Sequence, residues 1–187
     1  MDILEIINSI YAIPAASADK IAACTTEVSF PKGYHVLEAN KTETGVYFIR
    51  SEIARAFFPI DGKEITFWIG QEGDTIVSLK SYVSNQQGYE TIELLEDTDL
   101  YLLKRKDLDE LFKQDIYIAN WGRKFAESEF LQTEEKLISL LFTTASDRYA
   151  ELIKNNSELL QRVPLEHLAT YLGITPVSLS RIRAKIK

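Results

Sequence analysis

The chain has 187 residues, a formal net charge of -7, 45% apolar and 26% charged residues, and little Gly or Pro. That composition excludes a disordered or fibrous protein and allows one large domain or two unequal ones. One cysteine, Cys24, excludes an internal disulfide and a four-cysteine iron–sulfur cluster, and reads as a small buried hydrophobe. No apolar run approaches the roughly 20 residues of a membrane span, and MDILEIINSI carries acids where a signal peptide has bases, so a cytoplasmic chain is expected.

Residues 1–24 read as short helical material, with Ile3, Leu4, Ile6, Ile7 and Ile10 at three- and four-residue spacings before Pro14 interrupts them. From Thr25 to about Lys104 the texture changes to short β-rich runs such as VYFIR, ARAFFPI, ITFWIG, YETIELL and LYLLKR, separated by turn residues. With Asp61-Gly62 as a hairpin turn, this spacing predicts an antiparallel sandwich or barrel-like roll. Asp107 to Gln114 reads as a short helix and Asp115 to about Phe142 as a long one. Ile118, Trp121 and Phe125 step by three and four along it, and Phe130, Leu137 and Leu141 continue an apolar side. A break at Thr143-Thr144-Ala145-Ser146 precedes a helix pair in DRYAELIKNNSELLQR.

The tail, VPLEHLATYLGITPVSLSRIRAKIK, holds two further helices. Leu165, Leu168, Ala169 and Leu172 fall on one face of the first, which Pro164 helps to start and Gly173 ends. Thr175 is a suitable N-cap for the second, with Pro176 at its first position, where a missing N–H costs nothing. Leu179, Ile182 and Ile186 make its inner face. Val177, Ser178, Arg181 and Lys185 lie outward, flanked by Arg183 and Lys187. Helix, glycine turn and second helix with short polar and basic side chains outward is the helix-turn-helix pattern, in which Arg181 reaches a base edge or a phosphate and the other cations follow the backbone. Charge agrees: residues 1–142 carry -10, while 143–187 carry +3, with no acid after Glu166.

This order of parts resembles the Crp/Fnr family of bacterial transcription regulators. FPKGYHVLEANKTETGVYFIRSEIARAFF and GQEGDTIVSL are similar to stretches of its cyclic-nucleotide-binding domain, and RYAELIKNNSELLQRVPLEHLATYLGITPVSLSRIR to its Bacteroidetes branch. The resemblance implies an α+β fold with a jelly-roll sensor domain over 1–114, a dimerisation and linker helix over 115–142 and an all-α helix-turn-helix domain over 143–187. It also implies a cytoplasmic homodimer on double-stranded palindromic DNA, with half-sites on the order of 34 Å apart, and contact with RNA polymerase. Ile118, Trp121 and Phe125 are the expected dimer seam.

Departures from the family are informative. Members that bind cyclic AMP hold the ribose with a Gly-Glu pair and the phosphate with an Arg-Ser or Arg-Thr pair. Here Val77-Ser78 and Glu90-Thr91 stand at about those places, and no Arg or Lys occurs between Lys80 and Lys104. A carboxylate facing a phosphate repels it, which argues against cyclic AMP and leaves the effector unnamed. Val77, Ser78, Leu79, Tyr82, Tyr89, Glu90 and Thr91 are the candidate pocket residues. The oxygen-sensing cysteine cluster is absent, and His35 is weak support for haem. Val177 stands where many relatives carry a glutamate, which predicts another base preference.

Two other readings remain open from the residues: an interaction module that keeps the fold without specific DNA binding, and a cupin-like enzyme. The second meets a roll with one histidine, and no phosphate loop or nucleophile triad is legible, so no catalysis, cofactor or metal is expected.

Overall fold

The structure, a computed structural model, describes residues 1–185. In chain order the elements are α1 (Ile3–Ile10), α2 (Ala15–Ala23), β1 (Thr25–Phe30), β2 (His35–Leu37), β3 (Gly45–Ile49), β4 (Ala54–Ile60), β5 (Lys63–Gly70), β6 (Thr75–Ile76), α3 (Leu79–Ser84), β7 (Thr91–Leu94) and β8 (Thr98–Lys104). The helices α4 (Arg105–Gln114), α5 (Ile116–Phe142), α6 (Ala145–Asn156), α7 (Leu159–Arg162), α8 (Leu165–Tyr171) and α9 (Pro176–Lys185) follow. The expected α+β order is present. The candidate Lys187 and the inner-face Ile186 lie outside the described residues.

Two four-stranded antiparallel sheets, ordered β1-β8-β3-β6 and β2-β7-β4-β5, face each other. Apolar residues from both sheets meet between them, with Ile49, Ala54, Ile76, Leu94 and Leu100 fully buried. The β4–β5 hairpin closes at Asp61 and Gly62, both with positive φ (49° and 72°). That pair of left-handed residues matches the right-handed twist of the flanking strands, as the Asp-Gly dipeptide predicted.

A second core forms where α1, α2, α4 and the start of α5 cover the first sheet: Ile6, Ile7, Ile21, Phe48, Leu103, Ile118 and Trp121 are buried together. Local chemistry starts these helices. Asp2 accepts the Glu5 N–H at 2.8 Å while the Glu5 carboxylate accepts the Asp2 N–H at 2.9 Å, a reciprocal cap on α1. Asp115 caps α5 through the Tyr117 and Ile118 N–H groups, and its other oxygen takes the Lys20 ammonium at 2.7 Å. Gly122 has a packing reason: a Cβ there would stand 2.5 Å from the Phe112 ring, so α4 approaches α5 only over a glycine.

This packing places two of the three expected seam residues, Ile118 and Trp121, inside the chain's own core. Ile118 is 0% and Trp121 2% exposed inside the chain's own core, and the Trp121 indole N–H donates to the Ile7 carbonyl at 2.9 Å. Phe125 stacks on Trp121 with centroids 6.2 Å apart. Phe130, Leu137 and Leu141 are not a continuation of that face. They are 73%, 55% and 66% exposed, because about 100° per residue turns Phe130 to the far side of the helix from Trp121.

A third core joins the C-terminal helices to the roll. Tyr149, Leu152, Leu159, Val163, Leu168, Ala169, Leu172 and Leu179 cluster with Ile69 of β5 and with Ile53 and Leu95, which flank β4 and β7. The helical module is therefore packed on its own roll, with α8 lying along β5.

Candidate nucleic-acid interface and roll site

The tail folds as its local signals dictate. Leu168, Ala169 and Leu172 are buried on the inner side of α8, and Gly173 turns the chain with φ +71°. The Thr175 hydroxyl accepts the Ser178 N–H at 3.2 Å, which fixes the start of α9, and the Ser178 hydroxyl lies 3.0 Å from it. Leu179 is 0% exposed and anchors the inner face. Thr175, Val177, Arg181, Arg183 and Lys185 are all exposed, and Ser178 is half-buried beside its cap. The structure thus groups Val177, Ser178, Arg181 and Lys185 on one open side of α9 with no carboxylate among them, while Arg183 is exposed about 160° around the helix from Arg181.

Ion pairs seat this module on the roll. Arg162 of α7 donates through Nε to Glu96 at 2.9 Å and through Nη2 to both Glu96 and Glu52. The Arg162 hydrogen bond holds the Glu96 carboxyl below its ordinary range. The hydrogen bond that a protonated Glu52 donates to Glu96, with burial adding to it, raises that of Glu52. Two carboxylates therefore share one guanidinium at the boundary. Arg55 of β4, 2% exposed, pairs with Glu93 at 2.6 Å and with Glu64, and lies over the Phe57 ring at 4.3 Å.

In the roll the seven pocket candidates are not brought into one cup. Val77 and Tyr82 pack against the helix-covered core, Leu79 is 55% exposed on α3, and Tyr89 joins Phe58 and Phe67 in an exposed aromatic group. Ser78, Glu90 and Thr91 are buried. Each has a side-chain oxygen partnered within the chain. The hydroxyls of Ser78 and Ser81 lie 3.1 Å apart, Ser81 donates to the Gln86 carbonyl at 2.9 Å, Glu90 accepts the Tyr89 N–H at 3.0 Å, and Thr91 accepts the Ala39 N–H at 3.2 Å. Gly88 closes this corner, since a Cβ there would lie 2.6 Å from the Ser78 hydroxyl.

A cation beside this corner is not signalled by the strand sequence. Arg105, the first residue of α4, donates to the Ser81 carbonyl at 3.2 Å and lies over the Tyr82 ring at 5.0 Å. Its position beyond β8 hides it from a search of the strand segment alone. The apolar side of α5 at Phe130, Leu137 and Leu141 was legible as a pattern but not as an exposed surface, and Lys136 and Arg148, the cations of α5 and α6 that touch α8, carry no sequence signal.

Residues 27–115 match the family model of the cyclic nucleotide-binding domain. No curated protein matches the sequence. Among solved structures, FixK2 from Bradyrhizobium japonicum superposes with a TM-score of 0.73 at 21% identity, covering 87% of this chain and 84% of that one. A chain from Eubacterium rectale described as a transcriptional regulator of the crp/fnr family also gives 0.73, at 19% identity over 93% and 83% of the two chains. This chain has the Crp/Fnr fold. CLP of Xanthomonas campestris, described as a c-di-GMP-responsive global regulator, shares it with a TM-score of 0.71 at 16% identity, over 92% and 91%. The Crp/Fnr arrangement of roll, long helix and terminal helices therefore runs the length of the described chain, and no helix among the described residues is long and apolar enough to cross a membrane.

Proposed function

We propose that the chain is a transcription regulator of the Crp/Fnr type that binds double-stranded DNA as a homodimer. The observation that carries this reading is α9, a helix with Val177, Arg181 and Lys185 on one exposed face and Arg183 exposed on another side, after a capped, glycine-turned entry. A helix of this kind enters the major groove with its N-terminal side chains toward base edges and its cations toward phosphates. Arg181 reads a base, and Val177 offers a methyl contact in place of a hydrogen-bond acceptor.

A twofold partner is supplied by the exposed side of α5, where Phe130, Leu137 and Leu141 follow one another at turn spacing with Leu131 and Ile138 beside them. Five large apolar side chains on one open helix side suit a helix-to-helix seam. The roll is the sensor domain. Its corner at Ser78, Glu90 and Thr91 is filled by the chain's own hydrogen bonds, and Glu90 occupies ground where a cyclic phosphate needs a cation, so the effector is a molecule other than cyclic AMP. No catalytic role is proposed.

Selection of binding sites from a random duplex library, followed by mobility shift across a salt series, tests the reading. A palindromic consensus bound by a dimer is the expected result. A chain that enriches no sequence and forms no discrete complex at low salt would sink it.

A further inference from the structure

Three consecutive residues at the end of α8 are each held by a different element. The Thr170 hydroxyl accepts the Thr66 N–H of β5 at 3.1 Å. The Tyr171 carbonyl accepts the Lys136 ammonium of α5 at 3.0 Å, and the same ammonium lies 3.4 Å from the centre of the Tyr171 ring. The Leu172 carbonyl accepts from Arg148 of α6, through Nε at 3.1 Å and Nη2 at 2.8 Å. Arg148 also donates to the Thr143 carbonyl at 2.6 Å, so one guanidinium ties the end of α8 to the end of α5.

The last carbonyls of a helix lack intrahelical donors, and cations there complement the helix dipole. Local turn chemistry satisfies two of them: the Gly173 N–H bonds the Thr170 carbonyl at 2.9 Å and the Ile174 N–H bonds the Ala169 carbonyl at 2.9 Å. The carbonyls of Tyr171 and Leu172 are left, and distant elements take both. Gly173 comes next, where a Cβ would stand 3.3 Å from Leu140 of α5. Beside the staple lies a crevice of about 260 Å³ bordered by Glu135, Lys136, Arg148, Glu151 and Asn155. The two cations thus grip α8 at the edge of open space, where a small shift of α5 meets little packing resistance.

We infer that Thr170–Leu172 is the coupling node at which the roll and the long helix jointly set the angle of α9, with Thr170 and Lys136 as positioning residues for DNA binding. Only Gly173–Thr175 separates the node from α9, and Leu179 of α9 is buried in the same cluster as Leu168, Ala169 and Leu172. The two helices therefore move as one piece. A displacement of β5 or α5 reaches the reading face without any change inside α9. The DNA arm of this inference rests on the function proposed above; its geometric arm does not.

Two measurements separate them. Spin labels on Thr26→Cys in the roll and Ser180→Cys on α9, in a Cys24→Ser background diluted with unlabelled chain, report the roll-to-α9 distance. The distribution is narrow in the parent and broadens in Lys136→Met and in Thr170→Val, whereas Lys136→Arg restores it; equal widths in all four overturn the node. On the site selected by the parent, Lys136→Met and Thr170→Val each weaken binding by about tenfold, the loss of one charged or buried hydrogen bond. The salt slope stays unchanged because neither residue meets a phosphate. Unchanged affinity overturns the positioning role, and so does a reduced slope, which puts Lys136 on the phosphate track. Broadened distances in a chain that selects no DNA keep the node and sink only the DNA reading.

Discussion

Trp121 and Phe130 stand on opposite sides of α5: the indole is 2% exposed and bonded to the Ile7 carbonyl, while the phenyl ring is 73% exposed. The first half of the helix is thus committed to the protomer's own core, and the second half offers its apolar side outward. Substituting Phe130→Glu or Leu137→Glu is expected to leave the fold intact and yield monomers by sedimentation velocity. Trp121→Ala, in contrast, is expected to cost about 3–5 kcal/mol of stability in denaturant unfolding. A dimer that survives both glutamates rejects the seam.

On α9, Arg181→Ala is expected to cost about 1–3 kcal/mol at one operator position and to relax preference there, while leaving other sequences nearly unaffected. Arg183→Gln is expected to weaken binding to all sequences alike and to lower the salt slope by about 1. Equal behaviour of the two variants in competition assays argues against a base-reading role for Arg181.

Lys136 gives a pH signature. Burial, with Arg148 close by, pulls its ammonium down to about 8, whereas an unfolded lysine keeps its proton to about 10.5. Glu151, facing it from α6, acts in the opposite sense, and Tyr171 packs on it from α8. Between these two pH values the unfolded chain binds more protons, so folding gains as pH rises. The stability of the parent relative to Lys136→Met is expected to climb from about pH 8 to about 10.5 in parallel urea titrations. A flat difference across that window rules out a buried ammonium.

Arg162 holds two carboxylates together, and its removal leaves Glu52 facing Glu96. Arg162→Met is expected to destabilise the chain at neutral pH. That deficit narrows as pH falls through the carboxylate range, because protonating Glu52 removes the repulsion. A pH-independent deficit in thermal unfolding indicates that only packing was lost.

Addition of millimolar cyclic AMP is expected to leave the melting temperature unchanged, since a ligand that binds the native state raises it by mass action. A concentration-dependent rise overturns the reading of Glu90.

Local signals made much of the fold legible. Asp61-Gly62 marked its hairpin, Thr175-Pro176 its helix start and Gly173 its turn, because each residue acts within four positions of itself. The outward face of α9 followed from the same spacing. The facing of α5 did not, since steps of three and four satisfy an apolar pattern while the stripe drifts around the helix axis. Nor did the grip on α8: Lys136, Arg148 and Thr66 lie 35, 24 and 104 residues from their partners, and nothing in their neighbourhood announces them. The reason for Gly122 was equally illegible: it is where α4 touches α5, and its partner Phe112 sits on another helix.

The bond from Thr66 to Thr170 has another side. β5 ends its sheet, and the outer N–H groups of such a strand invite pairing with a second chain. With α8 laid along it, the C-terminal helical module acts as a lid on the roll's sticky border. A fragment cut after Phe142 would bare that border together with Ile53, Ile69 and Leu95, and self-association into sheets is the hazard that an isolated roll would face.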